Sequence, residues 1–247
     1  MNEALTSNAL TSNGLVAASG LSAKPRVTSG VAATPEGREL LTYVVRCALP
    51  ADQTLSLTVG GVDYEFTGLL GLLPQWIQQP LSERGEEILS ACLLAHVNHF
   101  GVSVPLSIRN PRMLITGDDE TDRYISYEGT FYGNLFSGSG TAYVCSGDAA
   151  PSFEVSYPDH DRTAGDRLLR RCTDERSDGS GQTECGFVYV GACRDICDIA
   201  DADGHRQCWT GAGRKGERFE ATMSTWLLAY DDSESVWSEL YDEVYGP

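Results

Sequence analysis

Eight cysteines in a chain of 247 residues constrain its fold more than any other feature. Their number is even, their spacing is irregular, and Cys-x-x-Cys pairs do not recur, which favours a disulfide framework over a metal framework. Because disulfides persist in oxidising compartments, the pattern predicts an extracellular or bacterial cell-envelope location. A cytosolic protein with reduced thiols is the alternative interpretation. The candidate disulfide residues are Cys47, Cys92, Cys145, Cys172, Cys185, Cys193, Cys197 and Cys208.

The spacing of the cysteines also suggests some of the pairings. Cys172 and Cys185 flank a polar loop of 12 residues, which predicts a crosslink between two extended segments. Cys193 and Cys197 stand four residues apart, and we expect each of them to pair outward rather than with the other. The expected partners of these two residues are Cys145 and Cys208.

The charge of the chain narrows the classes of partner. It carries 18 Lys and Arg against 35 Asp and Glu, a formal net charge of −17. Such a potential repels phosphate backbones and anionic headgroups, so nucleic acid and membrane surfaces are poor partners, and we expect a protein or glycan ligand instead. The sequence shows no stretch near the roughly 20 apolar residues of a membrane-spanning helix.

Composition divides the chain into four parts. The pentapeptide ALTSN occurs twice in succession near the N-terminus, within a stretch rich in Ser, Ala, Asn, Thr and Gly that is typical of a flexible leader. The predicted parts are a low-complexity leader at 1–33, an α+β core at 34–150, a cysteine-rich β extension of the core or second small domain at 151–230, and an acidic amphipathic tail at 231–247.

Hydrophobic periodicity predicts the elements of the core. Thr34 and Ser82 are good N-caps of two amphipathic helices, the first reaching about Cys47 and the second reaching Gly101. Between them, alternating apolar residues on both sides of Gly60-Gly61 predict a β-hairpin. Further strands are predicted within 102–108, 124–136, 142–145, 186–190 and 223–230. The expected fold class is α+β, with two or three helices packed on an antiparallel sheet and a disulfide-rich C-terminal half.

One candidate metal site lies on the second predicted helix. Cys92, His96 and His99 stand at i, i+4 and i+7, so a continuous helix would present all three on one side. A thiolate and two imidazoles could bind Zn²⁺ and leave the fourth position open for water, as in a secreted hydrolase. The other interpretation is that Cys92 pairs with Cys47 and that both histidines lie at the exposed border of the helix.

Two further sets of residues are candidates for binding. Asp198, Asp201 and Asp203 precede a glycine in a tight acidic turn, and several converging oxygens are what Ca²⁺ requires, although solvated acidic turns share this pattern. Tyr127 and Tyr132 could stack on a sugar or a peptide, or could belong to the core. The chain contains no Gly-x-Ser-x-Gly elbow, His-Glu-x-x-His motif or phosphate-binding loop.

Four stretches of the sequence resemble a known group of proteins. They are the ALTSN repeat, LLTYVVRC at 40–47, SACLLA at 90–95 and the aromatic stretch 127–136. Over roughly residues 1–150 the chain resembles secreted, uncharacterised lipoprotein-like proteins of myxobacteria. The resemblance implies an envelope or extracellular setting and no particular reaction. The sequence thus predicts a non-catalytic structural, adhesive or ligand-binding protein, with the zinc hydrolase as the alternative.

Overall fold

The computed structural model of the chain describes residues 5–8, 28–101, 103–110, 122–137, 140–147, 170, 172–173, 175–198 and 204–227. In these residues helices pack on a mostly antiparallel sheet, so the predicted α+β fold class is confirmed. The predicted acidic tail at 231–247 lies outside the described residues, and the proposed division into four parts stays a prediction. No helix in the described ranges is long and apolar enough to cross a membrane.

Capping residues set the starts of the two long helices. The hydroxyl of Thr34 accepts a hydrogen bond from the backbone N–H of Gly37, and Ser82 does the same for Gly85. Such caps satisfy amide groups that have no partner within the helix. The helices are α1 (Thr28–Val31), α2 (Pro35–Ala48), α3 (Glu83–Ala95) and α4 (Cys193–Ile196), with a 3-10 turn at Pro74–Ile77.

The strands of the described residues are β1 (Leu5–Asn8), β2 (Thr54–Val59), β3 (Val62–Thr67), β4 (Val104–Arg109), β5 (Ser126–Asn134), β6 (Thr141–Ser146), β7 (Val188–Ala192), β8 (Cys208–Gly211), β9 (Lys215–Phe219) and β10 (Thr222–Leu227). Six of them form the main sheet, in the order β1-β4-β10-β5-β6-β7. All neighbours run antiparallel except β6 and β7, which are parallel. Two hairpins, β2–β3 and β8–β9, lie outside this sheet.

The main core lies between α3 and the sheet. α3 contacts β5 and β10, and its side chains Leu89 and Leu93 are fully or almost fully buried. α2 lies against α3 and β3, so it forms a second layer of the same core. A smaller cluster, which includes Tyr132, Ile196 and Phe219, joins β5 to α4 and β9.

The β2–β3 turn depends on two glycines in the left-handed region. Gly60 has φ of 60° and Gly61 has φ of 83°, which L-residues adopt at a cost of roughly 1–2 kcal/mol each. We expect Gly60→Ala and Gly61→Ala each to lower the free energy of unfolding by about 1 kcal/mol in urea titrations. Gly30→Ala is the matched control, since Gly30 is helical and exposed, with no atom near its added methyl group. Equal effects at all three positions would contradict this account of the turn.

Candidate functional site

All eight cysteine sulfurs of the chain are joined in four disulfides. Cys47–Cys92 links α2 to α3, and Cys145–Cys193 links β6 to α4. Cys172–Cys185 closes the polar loop, and Cys197–Cys208 joins the end of α4 to the start of β8. These pairs confirm the loop crosslink and the outward pairing of Cys193 and Cys197. Since every cysteine is paired and buried, the folded protein has no thiol for nucleophilic or metal chemistry.

The histidines of the predicted zinc set do not lie on one helix. α3 ends at Ala95 and not at Gly101, because the amides of His96 and Val97 bond to carbonyls three residues back instead of four. His96 is fully buried, whereas His99 is exposed and its Nδ1 lies 3.1 Å from the carbonyl of Glu184. The predicted i+7 relation therefore fails.

The disulfide also removes the sulfur ligand of that set. Cys92 is bonded to Cys47, and Nδ1 of His96 lies 3.9 Å from both sulfurs. The same nitrogen is 2.8 Å from the carbonyl oxygen of Cys92, to which it donates when the neutral ring is protonated there. In the described ranges, two clusters of His and Cys atoms are compact enough for a metal ion, and each cysteine in both is disulfide-bonded. The structure confirms the pairing of Cys92 with Cys47. The expected exposed position holds for His99 but is wrong for His96, which the core encloses.

Burial controls the charge of His96. Desolvation lowers the pKa of this imidazole from 6.5 to about 4, with smaller contributions in the same direction from Arg46 and Arg170. The bond to the Cys92 carbonyl acts against the shift. The side chain is therefore neutral in the folded protein at neutral pH and contacts the ring of Tyr43 at 5.2 Å between centroids.

The dependence of stability on pH tests whether His96 is neutral in the folded protein. Between pH 6.5 and 4 the unfolded chain binds a proton at His96 and the folded chain does not, so this stabilisation is full above 6.5 and is lost as the pH falls. We expect His96 to account for a fall of about 3 kcal/mol in unfolding free energy across that window. In chemical denaturation at several pH values, the unfolding free energy of His96→Gln should lack this part of its dependence on pH. A variant with the wild-type slope would contradict the assignment.

The tight end of α3 is held by a buried arginine that local sequence patterns do not reveal. Arg170 is fully buried, and its Nη2 donates to the carbonyls of Ala95 (2.6 Å) and Val97 (3.0 Å). The carbonyl of Arg170 in turn accepts from the amide of His99 at 3.1 Å. A residue 70 or more positions away along the chain thus satisfies the carbonyls that a helix end leaves free.

The same guanidinium forms a buried ion pair with Glu128 of β5. Nη1 of Arg170 donates to Oε2 of Glu128, and both side chains are inaccessible to solvent. The hydroxyl of Thr225 on β10 donates to the same oxygen at 2.8 Å. This Arg170 network joins α3, β5 and β10 through charged groups in the core. Both Nη atoms of Arg170 and Oε2 of Glu128 are bonded within the fold, whereas Arg170 Nε and Glu128 Oε1 are buried without a hydrogen-bond partner. The bonds that are made join three elements of the core, which gives the pair a structural role.

The two predicted stacking residues lie in different surroundings. Tyr132 is fully buried, its hydroxyl donates to the carbonyl of Trp209 at 2.7 Å, and burial raises the pKa of its phenol. It packs against Tyr143 and Phe219, so it offers no exposed ring face to a ligand. The core interpretation applies to this residue. Tyr127 is half-buried; it packs against the same hydrophobic cluster and also belongs to a second cluster of aromatic and polar side chains on the sheet.

We call that cluster the His205 cluster: Tyr127, Trp226, His205, Arg109, Thr130 and Ser224. The ring of Tyr127 lies 5.0 Å from that of Trp226 and 5.9 Å from that of His205. The guanidinium of Arg109 sits 4.4 Å from the centroid of Trp226, a cation–π contact. Hydrogen bonds of 2.6 Å between hydroxyl groups link Tyr127 to Thr130 and Thr130 to Ser224. Sequence reasoning picked out only Tyr127, because the other members come together through the sheet.

The His205 cluster docks the Cys197–Cys208 loop on the sheet. The amide of His205 donates to the hydroxyl of Ser224, and its carbonyl accepts from the hydroxyl of Thr222. Nδ1 of His205 lies against the carbonyl of Asp198, whose carboxylate accepts from the amides of Arg206 and Gln207. Asp198, a predicted calcium ligand, therefore caps this loop. The other predicted ligands, Asp201 and Asp203, lie outside the described residues, so calcium binding stays a prediction.

Comparison of the chain with protein-family models, with curated proteins and with solved structures gives no match. The resemblance to secreted lipoprotein-like proteins accordingly stays a prediction. The described clusters are largely buried, and the bonds that they make hold the fold together.

Proposed function

We propose that the chain is a non-catalytic protein of the cell exterior or cell envelope, with a structural, adhesive or ligand-binding role. The observation that carries the proposal is that all eight cysteines form four buried disulfides. Protein disulfides of this density are typical of oxidising compartments. The net charge of −17 favours a partner with a positive surface and disfavours nucleic acid and anionic lipid.

The buried polar groups support the non-catalytic part of the proposal. Acid–base catalysis needs titratable groups within reach of a substrate. His96 and Arg170 are sealed in the core, and His205 is 4% exposed. Each has at least one nitrogen within hydrogen-bond distance of a backbone carbonyl, which for Arg170 and His205 belongs to another segment of the fold.

Fractionation of source cells tests the location. Cells are treated with an alkylating reagent before lysis, and the chain is followed by immunoblot in the medium, envelope and cytosol. The proposal expects the chain in the medium or envelope, with alkylation only after added reductant. Recovery of an alkylated chain from the cytosol would overturn it.

Assays with chromogenic esters, peptides and phosphoesters, with and without added zinc, test the absence of catalysis. The proposal expects no turnover above buffer in any of them. Turnover that is retained through purification and abolished by His96→Gln, a variant with folded-state circular dichroism, would establish the hydrolase instead.

A further inference from the structure

One edge of the main sheet is formed by β1, the first strand within the described residues. β1 runs antiparallel to β4, with Leu5 opposite Ser107 and Asn8 opposite Val104. On its other side β4 pairs with β10, and β1 supplies the partner for residues 104–107 on the remaining edge of β4. Pairing at a sheet edge is dominated by the backbone ladder, and a side-chain pattern of period two sets the register.

The sequence of β1 occurs twice. Leu5–Asn8 reads Leu-Thr-Ser-Asn, and the same four residues follow at Leu10–Asn13. Each copy is preceded by alanine, so the repeat is a full pentapeptide. We propose that the edge of β4 is a strand-binding site for this sequence, and that the second copy of the same chain is an interchangeable occupant in the same register.

The length of the intervening chain permits the exchange. With the first copy bound, 19 residues connect it to α1, and with the second bound, 14 residues do so. Fourteen extended residues span up to about 46 Å, more than twice the radius of gyration of about 18 Å expected for a domain of this length. The entropy of closing a loop changes only slowly with its length, so neither copy is strongly favoured by its connection.

Having two copies of the edge strand protects the sheet from pairing with other chains. An uncovered edge offers unpaired amides and carbonyls to other chains and favours aggregation. If the first copy is displaced or trimmed, the second covers β4 without a change in the ladder. The exchange gives the protein an edge strand that tolerates loss of its first residues.

Proline substitutions can block either copy of the repeat individually. A deletion cannot distinguish the copies, because removing either one leaves the same sequence. Thr6→Pro with Ser7→Pro blocks the first copy, Thr11→Pro with Ser12→Pro blocks the second, and the quadruple variant blocks both. Hydrogen exchange of residues 104–107, the part of β4 that lies opposite β1, is the readout in the full chain. We expect protection close to wild type in both double variants and a loss of at least tenfold, confined to this segment, in the quadruple variant.

Each other outcome overturns the proposal. Loss of protection in the first double variant as large as in the quadruple variant would make the first copy the sole occupant. Full protection in the quadruple variant would mean that neither copy is needed at this edge. Size-exclusion chromatography of the first double variant completes the test: a monomer supports a same-chain occupant, and protection seen only in dimers would assign the strand to a second chain.

Discussion

Replacing Arg170 by methionine is expected to lower the free energy of unfolding by about 3–5 kcal/mol, because it leaves the buried carboxylate of Glu128 without its charge partner. The carbonyls of Ala95 and Val97 also lose their donor at the end of α3. Urea denaturation followed by circular dichroism measures the effect. Hydrogen exchange should locate the first loss of protection at the last turn of α3.

Two companion variants separate the buried pair from general effects of removing an arginine. Arg176 pairs with Asp178 at 2.9 Å and with Glu184 at 3.1 Å on the surface, so Arg176→Met should have a much smaller effect. Arg170→Met combined with Glu128→Leu should recover part of the lost stability, since no isolated charge then remains in the core. Similar effects of Arg170→Met and Arg176→Met would contradict the structural role assigned to the buried pair.

Removal of the Cys145–Cys193 disulfide by paired alanine substitutions is expected to cost about 4 kcal/mol, the loop-closure value for a crosslink of this sequence separation. The two cysteines are 48 residues apart, whereas Cys197 and Cys208 are 11 apart. The shorter loop constrains the unfolded chain less, so removing Cys197–Cys208 should cost about 3 kcal/mol. Guanidinium denaturation of the two variants under non-reducing conditions measures the order. The reverse order would show that contacts of the folded state, rather than the unfolded chain, dominate.

Local patterns in the sequence predicted many of the elements of the fold. The caps at Thr34 and Ser82, the two-glycine turn and the alternation of β2 and β3 each act within a few residues, and the structure has them as predicted. The loop crosslink from Cys172 to Cys185 was predictable for the same reason. Interactions of this kind can be predicted from a single sequence because the residues that make them are close together in the chain.

Features that depend on residues far apart in the chain could not be predicted from the sequence. Gly101 marked a plausible helix end, yet α3 stops at Ala95 where the guanidinium of Arg170 bonds to the carbonyls. Predicting that stop requires knowing which segment packs there. The His205 cluster has the same origin, since Arg109, Tyr127 and Trp226 meet only after three strands have paired.

Composition does not reveal two elements within the segment 1–33, whose assignment as a leader stays a prediction. Leu5–Asn8 pairs with β4, and Thr28–Val31 is helical. A polar strand needs no apolar face of its own when the backbone ladder to a neighbouring strand holds it. The acceptor, β4, lies about 100 residues away in the chain, beyond the reach of any local pattern.

The most direct measurement is the intact mass of the native protein after alkylation in denaturant without reductant. Complete absence of added label, with full labelling at eight sites once reductant is present, is the result that our account predicts. Peptide mapping should then recover the four crosslinks that the structure contains. A native chain that takes up label on most of its cysteines before reduction would contradict both the disulfide framework and the location derived from it.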